Sequence, residues 1–127
     1  MISSGLEVNM TTSGANDRDG GIIDYCRFNK ITIQAWSPFQ IDLSKGLFSG
    51  NPDYKELNAT ISTLAEKYGV SDEPIIVAWI LRHPAKIQTI IGSMNPERIT
   101  RIADAEKVEL TRPEWYEIYI KAGHILP

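Results

Sequence analysis

Residues 87–98 read Ile87-Gln88-Thr89-Ile90-Ile91-Gly92-Ser93-Met94-Asn95-Pro96-Glu97-Arg98, and their order decides the fold. Ile87 to Ile91 is a short run rich in β-branched residues that stops at a glycine, which is a strand signal. Asn95-Pro96 then opens a helix. Asn accepts a free backbone N–H at the helix start, and Pro in the first turn has no N–H to lose. A strand running through a short turn into a helix is the unit of parallel α/β architecture.

Upstream, Ile31-Thr32-Ile33-Gln34-Ala35-Trp36 gives a second strand. Ser37-Pro38 ends it, because Pro cannot donate to a ladder. Before it, Ile22 to Phe28 has apolar positions at helical spacing. Residues 37–50 read as a loop bearing Gly and Ser. Asn51-Pro52 opens a helix carrying Tyr54, Leu57, Ile61, Leu64, Ala65 and Tyr68, closed by Gly69. Ser71 is placed to cap the next helix, whose residues Ile75 to Leu81 are apolar on most sides, as in a buried helix. After the second strand, a helix runs to about Ala105 with Ile99, Ile102 and Ala103 facing inward. Thr111-Arg112-Pro113-Glu114 is a capping box for the last helix, with Leu110 and Trp115 placed as a staple.

The predicted order is helix, strand, helix, helix, strand, helix, helix. Residues 1–21 read as an irregular lead-in rich in Gly, Ser, Thr, Asn and Asp, and residues 22–127 as the ordered part. Two parallel strands are too few to cover the faces of five helices, and they leave edges open. The sequence asks for more strands than it contains.

The chain has 127 residues, 43% hydrophobic and 23% charged, which suits one globular domain. A formal net charge of −3 runs against nucleic-acid binding by counterion release. The one cysteine, Cys26, has no internal disulfide partner, so a cytoplasmic setting is expected. No apolar stretch approaches the roughly 18 residues of a membrane span, and the first residues do not read as a signal peptide. Neither a membrane nor a nucleic acid is an expected partner.

In parallel α/β folds, ligands sit at the carboxyl ends of the strands. The first strand ends at Trp36, whose ring can offer a flat face to an aromatic ligand; the bland alternative is a core tryptophan. The second ends at Gly92-Ser93-Met94 before a helix start. Helix N-termini attract phosphate, Ser93 can donate a hydroxyl, and Arg98 can add a guanidinium fork. Alone, Arg98 reads as a solvated charge on a capped helix. Together, an aromatic face beside an anion site suits a nucleotide.

Four stretches now resemble the carboxyl-terminal part of the aldo-keto reductase family, and most of all its YdhF-like bacterial members. They are Ile33 to Phe39, Leu64 to Ser71, Ala78 to Pro84 and Ile90 to Ile99, in that order and spacing. The resemblance covers about residues 20–127. It implies a (β/α)8 barrel using NADPH to reduce aldehydes and ketones to alcohols. Ile31 to Trp36 would be the seventh strand and Ile87 to Ile91 the eighth, so the chain would hold an incomplete TIM barrel. A whole barrel needs about 250 residues.

The resemblance also implies cofactor contacts. Trp36 falls where the family stacks a ring on the nicotinamide. Ser37, Pro38, Phe39 and Gln40, with Gly46 and Leu47, fall beside the pyrophosphate. Gly92, Ser93, Met94, Asn95 and Arg98 fall at the adenosine 2′-phosphate, with Arg98 its natural partner. That favours NADP(H) over NADH. Many relatives carry Lys where this chain has Gly92 and Asn where it has Ile102, which implies fewer groups on the 2′-phosphate and adenine. The family's catalytic Asp, Tyr, Lys and His come from its first four strands, so no catalytic residue is assigned here. His83 and His124 read as structural or solvated, Cys26 as core, and Tyr25, Tyr54, Tyr68, Tyr116 and Tyr119 as packing residues. No metal-ligand cluster is apparent.

Two rival readings follow. The first is a catalytically silent fragment, or one half of a split enzyme that needs its amino-terminal half as partner. It is compatible with the family reading. In the complete enzyme the other partners are the nicotinamide cofactor and a small carbonyl substrate. The second is a helix-turn-helix DNA-binding protein, since Leu64 to Ser71 before an apolar helix has that look. Asp72 and Glu73 open the second helix, however, and would repel phosphate.

Overall fold

The computed structural model describes residues 21–42 and 45–124. The lead-in expected over residues 1–21 lies, apart from Gly21, outside the described residues.

Helix α1 (Ile22–Phe28) leads into strand β1 (Gln34–Trp36). Strand β4 (Gln88–Ile90) pairs with β1 in parallel, with Gln34 beside Gln88, Ala35 beside Thr89 and Trp36 beside Ile90. Both strands begin later than their apolar runs do. In-register parallel partners share a face of the sheet, so Trp36 and Ile90 stand together at the carboxyl ends. Both are exposed, while the central Ala35 and Thr89 are half-buried. At the other end, Gln34 Nε2 donates to Gln88 Oε1 at 3.2 Å.

Residues 37–50 are not a plain loop. Strands β2 (Gln40–Asp42) and β3 (Gly46–Leu47) form a small antiparallel hairpin. It is built from alternation the loop reading passed over. Phe39 and Ile41 turn into the core with Phe48, while Leu47 stays exposed. Gly46 takes φ 76, a left-handed conformation that glycine adopts without steric cost.

After a single 3₁₀ turn (Pro52–Tyr54), helix α2 (Lys55–Tyr68) packs against α3 (Asp72–Leu81) and α5 (Arg112–Lys121). Asn51 caps this start, its side chain accepting from the Asp53 N–H at 2.9 Å. Gly69 closes α2 at φ 67. Every residue from Pro74 to Ile80 is buried, as the all-round apolar pattern requires. Ser71 corrects one expectation: it occupies the cap position of α3, but its hydroxyl makes no cap bond and is buried without a partner.

Helix α4 (Pro96–Ala103) is shorter than expected and continues as a 3₁₀ turn over Asp104–Lys107. Ile102 is buried, whereas Ile99 and Ala103 are exposed. Trp79 and Trp115 stack at 4.7 Å and lock α3 to α5. Each indole N–H donates to the other's carbonyl at 2.9 Å. The capping box at Thr111 and Glu114 is present.

Helix α1 departs from its reading. It contains no buried residue; Phe28 is 88% exposed, Tyr25 is exposed, and Cys26 is half-buried instead of core. Its apolar side chains have helical spacing, but Ile22, Tyr25 and Phe28 remain exposed.

Candidate functional site

The carboxyl ends of β1 and β4 gather the residues singled out above. Trp36 is 61% exposed, which sets aside the core alternative and leaves its ring face open. Ser37 turns the chain at φ 51, and the Gln40 N–H donates to its carbonyl at 3.1 Å. Pro38 and Phe39 are buried, so their side chains are not open to a ligand. Gly46 and Leu47 lie on the outer strand of the hairpin that follows.

On the β4 side, Gly92 and Met94 are exposed, and a side chain built at Gly92 would meet nothing within 4 Å. The start of α4 is largely satisfied by its own cap. Asn95 Oδ1 accepts from the N–H groups of Glu97 at 2.9 Å and Arg98 at 3.2 Å, and Pro96 has none to offer. The Asn95 N–H in turn donates to Ser93 Oγ at 3.2 Å. The expected free N–H groups are therefore engaged. An anion at this helix start would have to be met mainly by side chains, among them the Ser93 hydroxyl, whose proton the bond from Asn95 does not use.

Arg98 is the strongest such side chain, and it is not a loose surface charge. Its Nε donates to Glu73 Oε1 at 2.9 Å, and its guanidinium lies 5.3 Å from the centre of the Phe39 ring. The cation thus joins α4, α3 and the segment after β1. Arg101 Nε donates to the other Glu73 oxygen at 2.8 Å. Burial pushes the Glu73 carboxyl up, but the bonds from Arg101 and Arg98 outweigh it and hold the group below its usual range. Among the described residues, Arg98 uses Nε for its side-chain hydrogen bond, which leaves the donors of its two Nη groups for other acceptors.

Glu73 and Arg101 were not among the expected site residues. Arg98 and Arg101 are three apart, hence neighbours on one helix face, which was readable. The convergence of Glu73 on both depends on α3 packing against α4, which local pattern does not encode.

The remaining candidates stay outside the site. His83 Nδ1 accepts from the Ala85 N–H at 3.1 Å, and His124 is buried and stacked on Tyr119 at 4.5 Å. The Tyr68 hydroxyl lies 2.9 Å from the Glu109 carbonyl oxygen and 2.9 Å from Glu114 Oε2. No group of three or more metal-ligating side chains occurs among the described residues. No helix there is long and apolar enough to cross a membrane.

Comparisons with known proteins bear on this arrangement. The model of the Aldo/keto reductase family matches residues 3–122. The 6-dehydroglucose reductase of Agrobacterium fabrum is 33% identical over 116 residues, covering 91% of this chain and 37% of that protein. Oxidoreductase YdhF of Escherichia coli is 29% identical over 99 residues, covering 77% of this chain and 32% of its own length. The crystal structure of a thermostable aldo-keto reductase with the inhibitor epalrestat aligns with a TM-score of 0.64 at 21% identity. It covers 84% of this chain and 36% of that one, and shows a shared fold. The chain spans about a third of the length of these relatives.

Proposed function

The chain belongs to the aldo/keto reductase family of oxidoreductases, and from that premise we propose that it supplies the NADPH-holding part of a carbonyl reductase. Its strands β1 and β4 are, on this reading, the seventh and eighth of a (β/α)8 barrel. The observation that carries the proposal is the exposed Trp36 paired with Ile90 at the carboxyl ends, together with Arg98 on α4, whose guanidinium lies 5.3 Å from the centre of the Phe39 ring just after β1.

The residues fit the cofactor. The exposed Trp36 face suits a nicotinamide ring. Gly92 leaves open backbone where a phosphate can approach, and the Arg98 fork matches phosphate geometry, so the 2′-phosphate of NADPH distinguishes it from NADH. When bound, NADPH supplies a hydride to a carbonyl carbon. This chain orients the cofactor through Trp36, Ser37, Gln40, Gly46, Leu47, Ser93, Met94, Asn95 and Arg98. The acid that protonates the carbonyl oxygen is assigned to the family's earlier strands, since the Tyr68 hydroxyl is engaged elsewhere.

The same reading accounts for the uncovered surface. Helix α1 buries nothing, and β1 and β4 pair with no third described strand. We assign those edges and the exposed Ile22, Tyr25, Phe28 and Ile31 to contact with a polypeptide carrying the remaining strands. Without it, the chain is a silent half. The single cysteine supports a cytoplasmic setting on this reading.

Thermal unfolding with and without NADPH tests the proposal, because a ligand stabilises only a state that binds it. NADPH is expected to raise the Tm of the chain. Trp36→Ala is expected to weaken NADPH binding roughly two- to tenfold, the worth of one stacking contact, without lowering the Tm of the unliganded chain. A cooperative transition insensitive to NADPH would refute the cofactor role.

A further inference from the structure

The amino ends of the same two strands carry a feature that the cofactor site does not use. A cleft of about 400 Å³ opens there, lined in part by Arg27, Lys30, Thr32 and Lys86. Three of these are cations in a chain whose net charge is −3. Arg27 is held by Asp24 through one Nη at 3.3 Å. Neither Lys30 nor Lys86 has an ion-pair partner among the described residues.

Both lysines also sit in an unfavourable backbone conformation. Lys30 has φ 56 and Lys86 has φ 51. Each occupies the turn that feeds its strand from the preceding helix. The Lys30 N–H donates to the Arg27 carbonyl and the Lys86 N–H to the His83 carbonyl. Glycine fills such positions without steric cost. Here the more costly residue stands in both turns, and the parallel pairing of β1 with β4 brings the two turns to one cleft. Pro84 also borders a second cleft lined by Arg82 and Arg112, so positive charge continues along this end.

The geometry points to a second anion site, at the amino ends of β1 and β4, that takes a diphosphate group. A phosphate carries close to two negative charges near neutral pH. The two lysines and the remaining donors of Arg27, whose charge Asp24 partly offsets, offer more donors than one phosphate uses and suit two linked phosphates. The lysines act as point charges on flexible stems, Arg27 adds its remaining donors, and the Thr32 hydroxyl can donate to a bridging oxygen.

Inorganic pyrophosphate is the probe, with potassium sulfate at matched ionic strength as control, and Tm and calorimetric Kd as readouts. Pyrophosphate is expected to raise the Tm of the chain saturably where sulfate does not. Each lysine removed should weaken binding about tenfold or more, the usual worth of a charged hydrogen bond. K30G/K86G should lose the shift while its own Tm does not fall, because glycine relieves the positive φ. K30Q/K86Q should lose it too, with the side-chain stems kept. The Arg98→Gln variant should keep the shift, which separates this site from the cofactor site and makes the outcome independent of NADPH binding. An equal shift from sulfate, a shift that survives both lysine double variants, or one that vanishes in Arg98→Gln would overturn the inference.

Discussion

Glu114→Gln removes one negative charge from the junction of α2 and α5. Glu114 is buried, and its carboxylate accepts from Lys67 Nζ, the Tyr68 hydroxyl, and the Thr111 hydroxyl and N–H. Burial alone would push its pKa up, but these bonds favour the charged form and hold it at about 2, against an ordinary 4.5. At about 1.36 kcal/mol per unit, that difference makes ionisation worth about 3 kcal/mol to the fold. The direction follows from the depressed value. The stabilisation is complete above pH 4.5, about 2 kcal/mol of it is gone by pH 3, and the rest is lost as pH falls through 2. Glutamine mimics the neutral acid, so the variant should lose about 3 kcal/mol at neutral pH. Urea unfolding at pH 7 and pH 3 measures both effects. The gap between wild type and variant should shrink to about 1 kcal/mol at pH 3. A gap equal at the two pH values, or below about 0.5 kcal/mol at pH 7, would show that the charge of Glu114 does not stabilise this junction.

Three further outcomes are expected. Arg98→Gln should weaken NADPH roughly ten- to a hundredfold with little effect on NADH, shown by the ratio of the two dissociation constants. Gly92→Lys should tighten NADPH by roughly fivefold, read by titration calorimetry, since the open space at Gly92 admits the side chain and a cation there adds a phosphate contact. Ser71→Ala should leave the Tm unchanged or raise it, because the hydroxyl it removes is buried without a partner.

The helices were legible because their signals are local. Asn51, Gly69, Asn95 and Thr111 act at the ends they mark, and Pro74 to Ile80 is buried as its composition demands. The hairpin was missed because its strands are only three and two residues long, too short for alternation to stand out from a loop. Ser71 shows that the right residue at a cap position need not cap: the backbone there is extended as required, yet the hydroxyl bonds nothing. Helix α1 shows the converse, where apolar spacing forecast burial but burial needs a covering surface as well as a stripe.

The candidate site was legible in its ends and not in its wiring. Trp36 and Arg98 could be read from strand ends and a helix start, since parallel architecture fixes where ligands gather. Their joint placement could not, because it passes through Phe39 and Glu73, which belong to other elements. Glu73 is the instructive case. In the sequence its charge argued only against DNA binding. In the fold it binds Arg98 and Arg101 through their Nε atoms, so that the carboxylate sets the direction of both side chains on one face of α4. Asn95 completes the argument from the other side. By capping α4 it engages N–H groups at the helix start, so that in the proposed cofactor site recognition of a phosphate would fall to the Arg98 side chain. A guanidinium fork reads the shape of a phosphate, which a bare helix terminus does not. On the proposed reading, the local cap and the distant carboxylate would turn a general anion site into one fitted to a 2′-phosphate.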